Sequence, residues 1–187
     1  TWVTEYTNMH DLTRRRFIRD SLGLCSLAVA PLAWGKDAPL NSAGLSFQSL
    51  HTGEKLQTGI LPGKHPEPAA LAAVNHVLRD HRSGEIHTMD PELLMVLAKL
   101  QNEVGIAGPF HVISGYRSPK TNAKLRADGR GVAKKSLHMQ GKAIDVRLPG
   151  CELATLRDAA ISLKAGGVGY YVKSDFIHID TGRVRYW

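Results

Sequence analysis

Cysteine is scarce in this sequence, with two in 187 residues, Cys25 and Cys151. Cys25 falls in an apolar leader described below, so a processed chain keeps one thiol, which excludes an internal disulfide framework. Cys151 has no second cysteine at metal-ligand spacing and reads as a structural residue. Aromatic residues are also few, at 6%, and they do not interleave with the basic ones. Neither a recognition-helix signature nor a finger spacing occurs, which makes nucleic acid the partner the sequence supports least. Internal repeats and low-complexity stretches are absent, so neither a repeat array nor bulk disorder is supported. No apolar run is long enough to cross a bilayer as a stable helix, which argues against stable membrane insertion after processing.

What is present is an ordinary globular composition, 43% hydrophobic and 22% charged, on a length that suits one domain with a substantial core. The formal net charge is +7. Residues 1–34 hold four arginines against three acids, so +6 of it lies in residues 35–187, on the expected folded part. A basic surface suits a polyanion such as an acidic cell-wall polymer, although a solvated cationic surface has the same composition.

The leader joins TRRRFIRD (Thr13 to Asp20) to an apolar run from Leu22 to Trp34. A charged stretch ahead of a moderate apolar one is an export signal. Its paired arginines followed by Phe17 resemble the twin-arginine type, which implies a periplasmic protein exported already folded. Leu24 before Cys25 departs from a lipidation signal, which wants a small residue there. The expected organisation is a signal and N-terminal extension over 1–34, a linker over 35–44 and one folded domain over 45–187.

Beyond the leader, Leu45 to Ile60 reads as a hairpin turning at Thr52 and Gly53, and Pro66 to Arg82 as an amphipathic helix. A second helix starts at Asp90 and Pro91 and stops at Gly105. Phe110 to Ser114 reads as a strand, and a helix runs from Ser118 and Pro119 to about Asp128 and Gly129. KAIDVRL then alternates as a half-buried strand, and CELATLRDAAISLKAGG reads as a helix ended by Gly166 and Gly167. GVGYYV and FIHID form a last hairpin around Lys173, Ser174 and Asp175. Mixed hairpins and helices of this kind imply an α+β fold.

Chemistry concentrates in SLHMQGKAID, Ser136 to Asp145. His138 and Asp145 are seven positions apart, about 10.5 Å along a helix and roughly 23 Å along a strand, so the chain must bend to bring them together. Gly141 is where such a bend belongs. Added to His178 in FIHID, they make a two-histidine, one-carboxylate set, the number of protein ligands a catalytic zinc takes. The other histidines of the folded part (His51, His65, His76, His81, His87, His111) read as surface or core residues.

The stretches SGYRSPKTNAKLR, GVAKKSLHMQGKAIDVRL and AGGVGYYVKSDFIHIDTG resemble the M15-type zinc peptidases and, more narrowly, the murein endopeptidase K group. The pattern SxHxxGxAxD followed downstream by HxD carries the resemblance, which spans Leu45 to Trp187. It implies a hedgehog/DD-peptidase type of fold, one Zn2+ per chain on His138, Asp145 and His178, and cleavage of peptide cross-links in peptidoglycan, notably those joining two diaminopimelate residues. Arg117 matches a position that holds or polarises substrate beside the metal. Asp175 stands where many relatives have a glutamate base, one methylene shorter, and is the candidate base here; Asp180 is read as orienting a ligand or Arg117. Two other readings stay open, a D-Ala-D-Ala dipeptidase or carboxypeptidase, and a peptidoglycan-binding module without catalysis.

Overall fold

The structure, a computed structural model, describes residues 44–187; the expected export signal and nearly all of the expected linker lie outside the described residues. Strands β1 (Ser46–Ser49) and β2 (Lys55–Gln57) form the expected antiparallel hairpin, with Phe47 fully buried. Helix α1 (Pro68–Val77) is shorter than the apolar pattern suggests. Its continuation is stopped by Asp80, whose carboxylate accepts from the backbone N–H groups of Arg82 and Ser118, both at 2.9 Å, in place of helical bonding.

Helix α2 (Pro91–Val104) forms where the punctuation places it. Asp90 accepts from the Glu92 N–H at 3.0 Å, proline occupies the first turn, and Gly105 closes the end in a left-handed conformation. Its Leu93, Leu94, Leu97 and Leu100 are fully buried, each worth about 1.5–3 kcal/mol. After β3 (Phe110–Ser114) comes α3 (Pro119–Ala127), capped by the Ser118 hydroxyl accepting from Thr121 N–H at 3.2 Å. A single 3-10 turn (Leu137–Gln140) precedes β4 (Ala143–Arg147). Helix α4 (Leu153–Ser162) ends earlier than Gly166, because the Ser162 hydroxyl bonds back to Ala159 O at 2.8 Å and Lys164 turns the chain with φ 49°. Strands β5 (Gly167–Tyr171) and β6 (Phe176–Asp180) make the last hairpin, followed by an unanticipated two-residue strand, β7 (Arg185–Tyr186).

The seven strands form one mixed sheet in the order β2-β1-β3-β4-β6-β5-β7, parallel at β1–β3 and β5–β7 and antiparallel elsewhere. With its helices this is the expected α+β architecture. Phe110, Val112, Ile144, Val146, Ile177 and Ile179 join the α2 leucines and Leu156 of α4 in one core cluster. Strand β4 departs from the half-buried reading: Asp145 on its other face is 7% exposed, because that face carries the site. Next to it, β3 has a bulge between Val112 and Ser114 that sets Ser114 opposite Asp145, the re-aiming of a side chain that bulges commonly provide.

Candidate metal centre

Strand pairing places two of the three candidate ligands. Asp145 on β4 stands opposite His178 on β6 in the antiparallel register. The third, His138, sits on the 3-10 turn and is returned over β4 by Gly141, which has φ 66°. A side chain at Gly141 would collide with the Thr88 carbonyl oxygen, so both the bend and the close approach call for glycine there. His138, Asp145 and His178 then offer one ligand atom each, all within 4.8 Å of one another.

The outer nitrogens of both imidazoles are committed. His138 Nδ1 lies 2.7 Å from the Gly115 carbonyl oxygen, which can only accept, so Nδ1 donates. His178 Nε2 lies 3.0 Å from Asp180 Oδ2 and donates to it. In the neutral rings this leaves lone pairs on His138 Nε2 and His178 Nδ1, which face each other at 3.2 Å. Both also face Asp145 Oδ1, at 3.3 and 2.8 Å. Three such donor atoms converging in a buried place form a group that could hold a metal ion. A borderline-soft divalent metal fits a donor set of two imidazoles and a carboxylate, with outer partners fixing the ring tautomers.

The same contacts set the charge of the cluster when no ion is bound. Burial works to raise the pKa of Asp145, but the two histidines outweigh it and hold the carboxyl well below the usual range. Burial also disfavours a charged His178, yet its hydrogen bonds to Asp145 and Asp180 raise its pKa above the ordinary value. Asp180, fully buried, is likewise kept ionised against burial by His178, Arg185 and the N–H groups of Gly182 and Gly167.

Arg117 reaches the cluster. Its Nη2 lies 3.2 Å from Ser114 Oγ and 3.6 Å from Asp145 Oδ2, and its Nη1 donates to Asn122 Oδ1 at 3.5 Å. Its buried Nε–H has no acceptor among the described residues. Asp175 is placed elsewhere. It occupies the β5–β6 turn with φ 52°, its side chain is 61% exposed, and its carboxylate accepts from Arg147 Nη1 at 2.7 Å. The structure therefore brings four of the five candidate residues together and leaves Asp175 outside.

A cavity of about 430 Å³ opens over the cluster, lined in addition by Arg130, Lys135, Tyr171, Phe176, Arg185 and Trp187. Reading the sequence did not single out these residues as site residues. Trp187 stands beside the His178 ring, centroids 5.4 Å apart, with its indole N–H on the Tyr171 hydroxyl at 2.8 Å. Only β7, too short to announce itself, puts it there.

A family model described as Peptidoglycan L,D-endopeptidase MepK (Peptidase_M15_2) matches residues 38–187. The chain is 43% identical over 180 residues to the Peptidoglycan L,D-endopeptidase MepK of Escherichia coli K12, covering 95% of this chain and 98% of that protein. The corresponding protein of Shigella flexneri matches to the same extent. A Haemophilus influenzae protein named "Probable peptidoglycan L,D-endopeptidase MepK" is 40% identical over 184 residues, 96% of this chain and 98% of its own length. A match that runs through Arg117 and all three clustered donors to the last residue leaves one family for this chain: it belongs to Peptidase_M15_2, within the M15-type peptidases it resembles by motif.

Proposed function

We propose that this chain is a zinc-dependent peptidoglycan endopeptidase that hydrolyses peptide cross-links, those between two diaminopimelate residues, in the periplasm after export by the twin-arginine route. The observation that carries the reading is the pair of imidazoles locked by Gly115 O and Asp180, with their free nitrogens turned onto Asp145 at the base of an open cavity. The names of the relatives supply the substrate class.

In this reading His138, Asp145 and His178 hold the metal, which when bound supplies Lewis acidity toward the scissile carbonyl and toward a water. The protein's part is preorganisation. Gly115 O and Asp180 keep the two rings from turning, so the donor geometry needs no rearrangement on binding. Arg117, held by Ser114 and Asn122, presents a fixed guanidinium at the cluster, suited to stabilise negative charge as it develops on the carbonyl oxygen. Tyr171 accepts the Trp187 indole N–H, which leaves its own hydroxyl hydrogen for a group in the cavity. Asp175, engaged with Arg147, has no contact with the cluster that would let it take a proton there.

That missing base is the one observation favouring a non-catalytic, peptidoglycan-binding alternative. Incubating purified protein with defined cross-linked muropeptides, with and without chelator, separates the readings by mass spectrometry. Uncross-linked products that vanish with chelator, and bound zinc and turnover both lost in His138→Ala, are the expected outcome. Released D-Ala would favour an exopeptidase, and binding without products would favour the module. Full activity of His138→Ala with no bound metal would remove the metal assignment.

A further inference from the structure

The cations that line the cavity are of two kinds. Arg117 is held by Ser114, Asn122 and Asp145, and Arg185 by Asp180 at 2.7 and 3.1 Å and by the Arg183 carbonyl oxygen. Arg130 and Lys135 are exposed, line the same cavity, and have no ion pair or side-chain hydrogen bond among the described residues. Asp145 is the only acidic residue in the lining, and its carboxylate is already engaged. The wall therefore offers two uncompensated positive charges to whatever enters.

We propose that Arg130 and Lys135, on the segment between α3 and the 3-10 turn, bind a free carboxylate of the substrate's peptide stem and so determine which peptides are cleaved. The proposal rests on the peptidase reading above. A solvated surface cation is the ordinary state of arginine and lysine, and two observations set these apart. First, the segment is anchored: Arg130 N–H donates to Leu125 O at 3.0 Å, and the amide of Asn122, 2% exposed, donates to Ala133 O at 3.1 Å. Second, the same Asn122 accepts from Arg117. One buried amide thus ties the cationic wall to the guanidinium beside the metal ligands, fixing the spacing between the two.

Glycines at 129 and 131, both with positive φ and open space where a side chain would stand, bracket Arg130 and set its backbone out from the helix end. The chemistry to be recognised is an ionised carboxylate. An arginine fork with a neighbouring ammonium suits it, as a bidentate contact plus a point charge. A neutral carboxamide would keep the shape and lose the charge.

The test uses cross-linked muropeptides in two forms, with stem carboxylates free or amidated, and the wild type, Arg130→Ala and Lys135→Ala. Both substitutions are at exposed positions; equal thermal unfolding of the three proteins checks that the fold is kept. The expected result is that the wild type prefers the free form by roughly tenfold or more in kcat/KM, the scale of a charge-assisted hydrogen bond. Each variant should lose most of that preference through a raised KM for the free form alone. Equilibrium binding of the two muropeptides to chelated protein keeps the question separate from catalysis. Amidation-sensitive affinity that disappears in the variants supports the proposal even if nothing is cleaved. Equal wild-type affinity for both forms, or variants that keep the preference, overturns it even if cleavage is fast.

Discussion

A buried carboxylate is costly unless its oxygens are met by donors. Asp180 meets that condition with the Gly167 and Gly182 N–H groups, two contacts from Arg185 and His178 Nε2. Its consequence is directional: with Nε2 committed, His178 has only Nδ1 for the cluster. Asp175 shows the contrary case. Its single pairing, with Arg147, is on the surface, where such pairs contribute about 0–1 kcal/mol. Asp175→Asn should therefore leave turnover of cross-linked muropeptide within about threefold of wild type. A loss of about a hundredfold or more, the scale of a removed general base, would bring Asp175 back into the mechanism through a movement of the β5–β6 turn.

Among the elements, the 3-10 turn and its closing Gly141 determine whether the site exists. Gly141→Ala would impose a side chain at φ 66° against the Thr88 carbonyl. The left-handed conformation alone costs about 1–2 kcal/mol for a residue with a Cβ, and backbone has to move as well. We expect urea unfolding to show at least that loss, together with weaker zinc retention, since His138 is set by this turn. A variant with unchanged midpoint and metal content would show the turn to be more tolerant than its geometry. This bend, like helices α2 and α3, was legible in the sequence because local chemistry writes it: a glycine, a proline in the first turn, a capping Asp90 or Ser118. The end of α1 was not, since Asp80 stops it by bonding to Ser118, 38 residues away. Strand β7 was not either, being two residues in a parallel pairing.

At the scale of the whole molecule, pH dependence has a source away from the site. Burial, with Arg82 and the stacked His51 ring 3.8 Å away adding repulsion and Asp80 opposing it, pushes the pKa of His81 from 6.5 down to about 4. Arg117 also disfavours its charge. The unfolded chain takes up this proton near 6.5 and the folded one only near 4, so stability is complete above 6.5 and declines as pH falls toward 4. The urea midpoint should fall across that window, and less steeply in His81→Phe, which keeps a ring and removes the proton; parallel curves would dismiss His81 as the cause. The clustering of His138, Asp145 and His178 was legible because the three side chains have distinctive spacing and type. Its surroundings were not: Trp187 joins it only through the strand order that sets β7 beside β5, while Arg130 and Lys135, close to His138 in sequence, carry no pattern that separates them from solvated cations. The position of Trp187 also has a practical side. Its ring stands next to His178 on the rim of the cavity, so a purification tag joined after it would begin at the mouth through which substrate must pass. A group attached instead at the β1–β2 turn, beyond β3 from β4 and absent from the cavity lining, leaves the entrance clear.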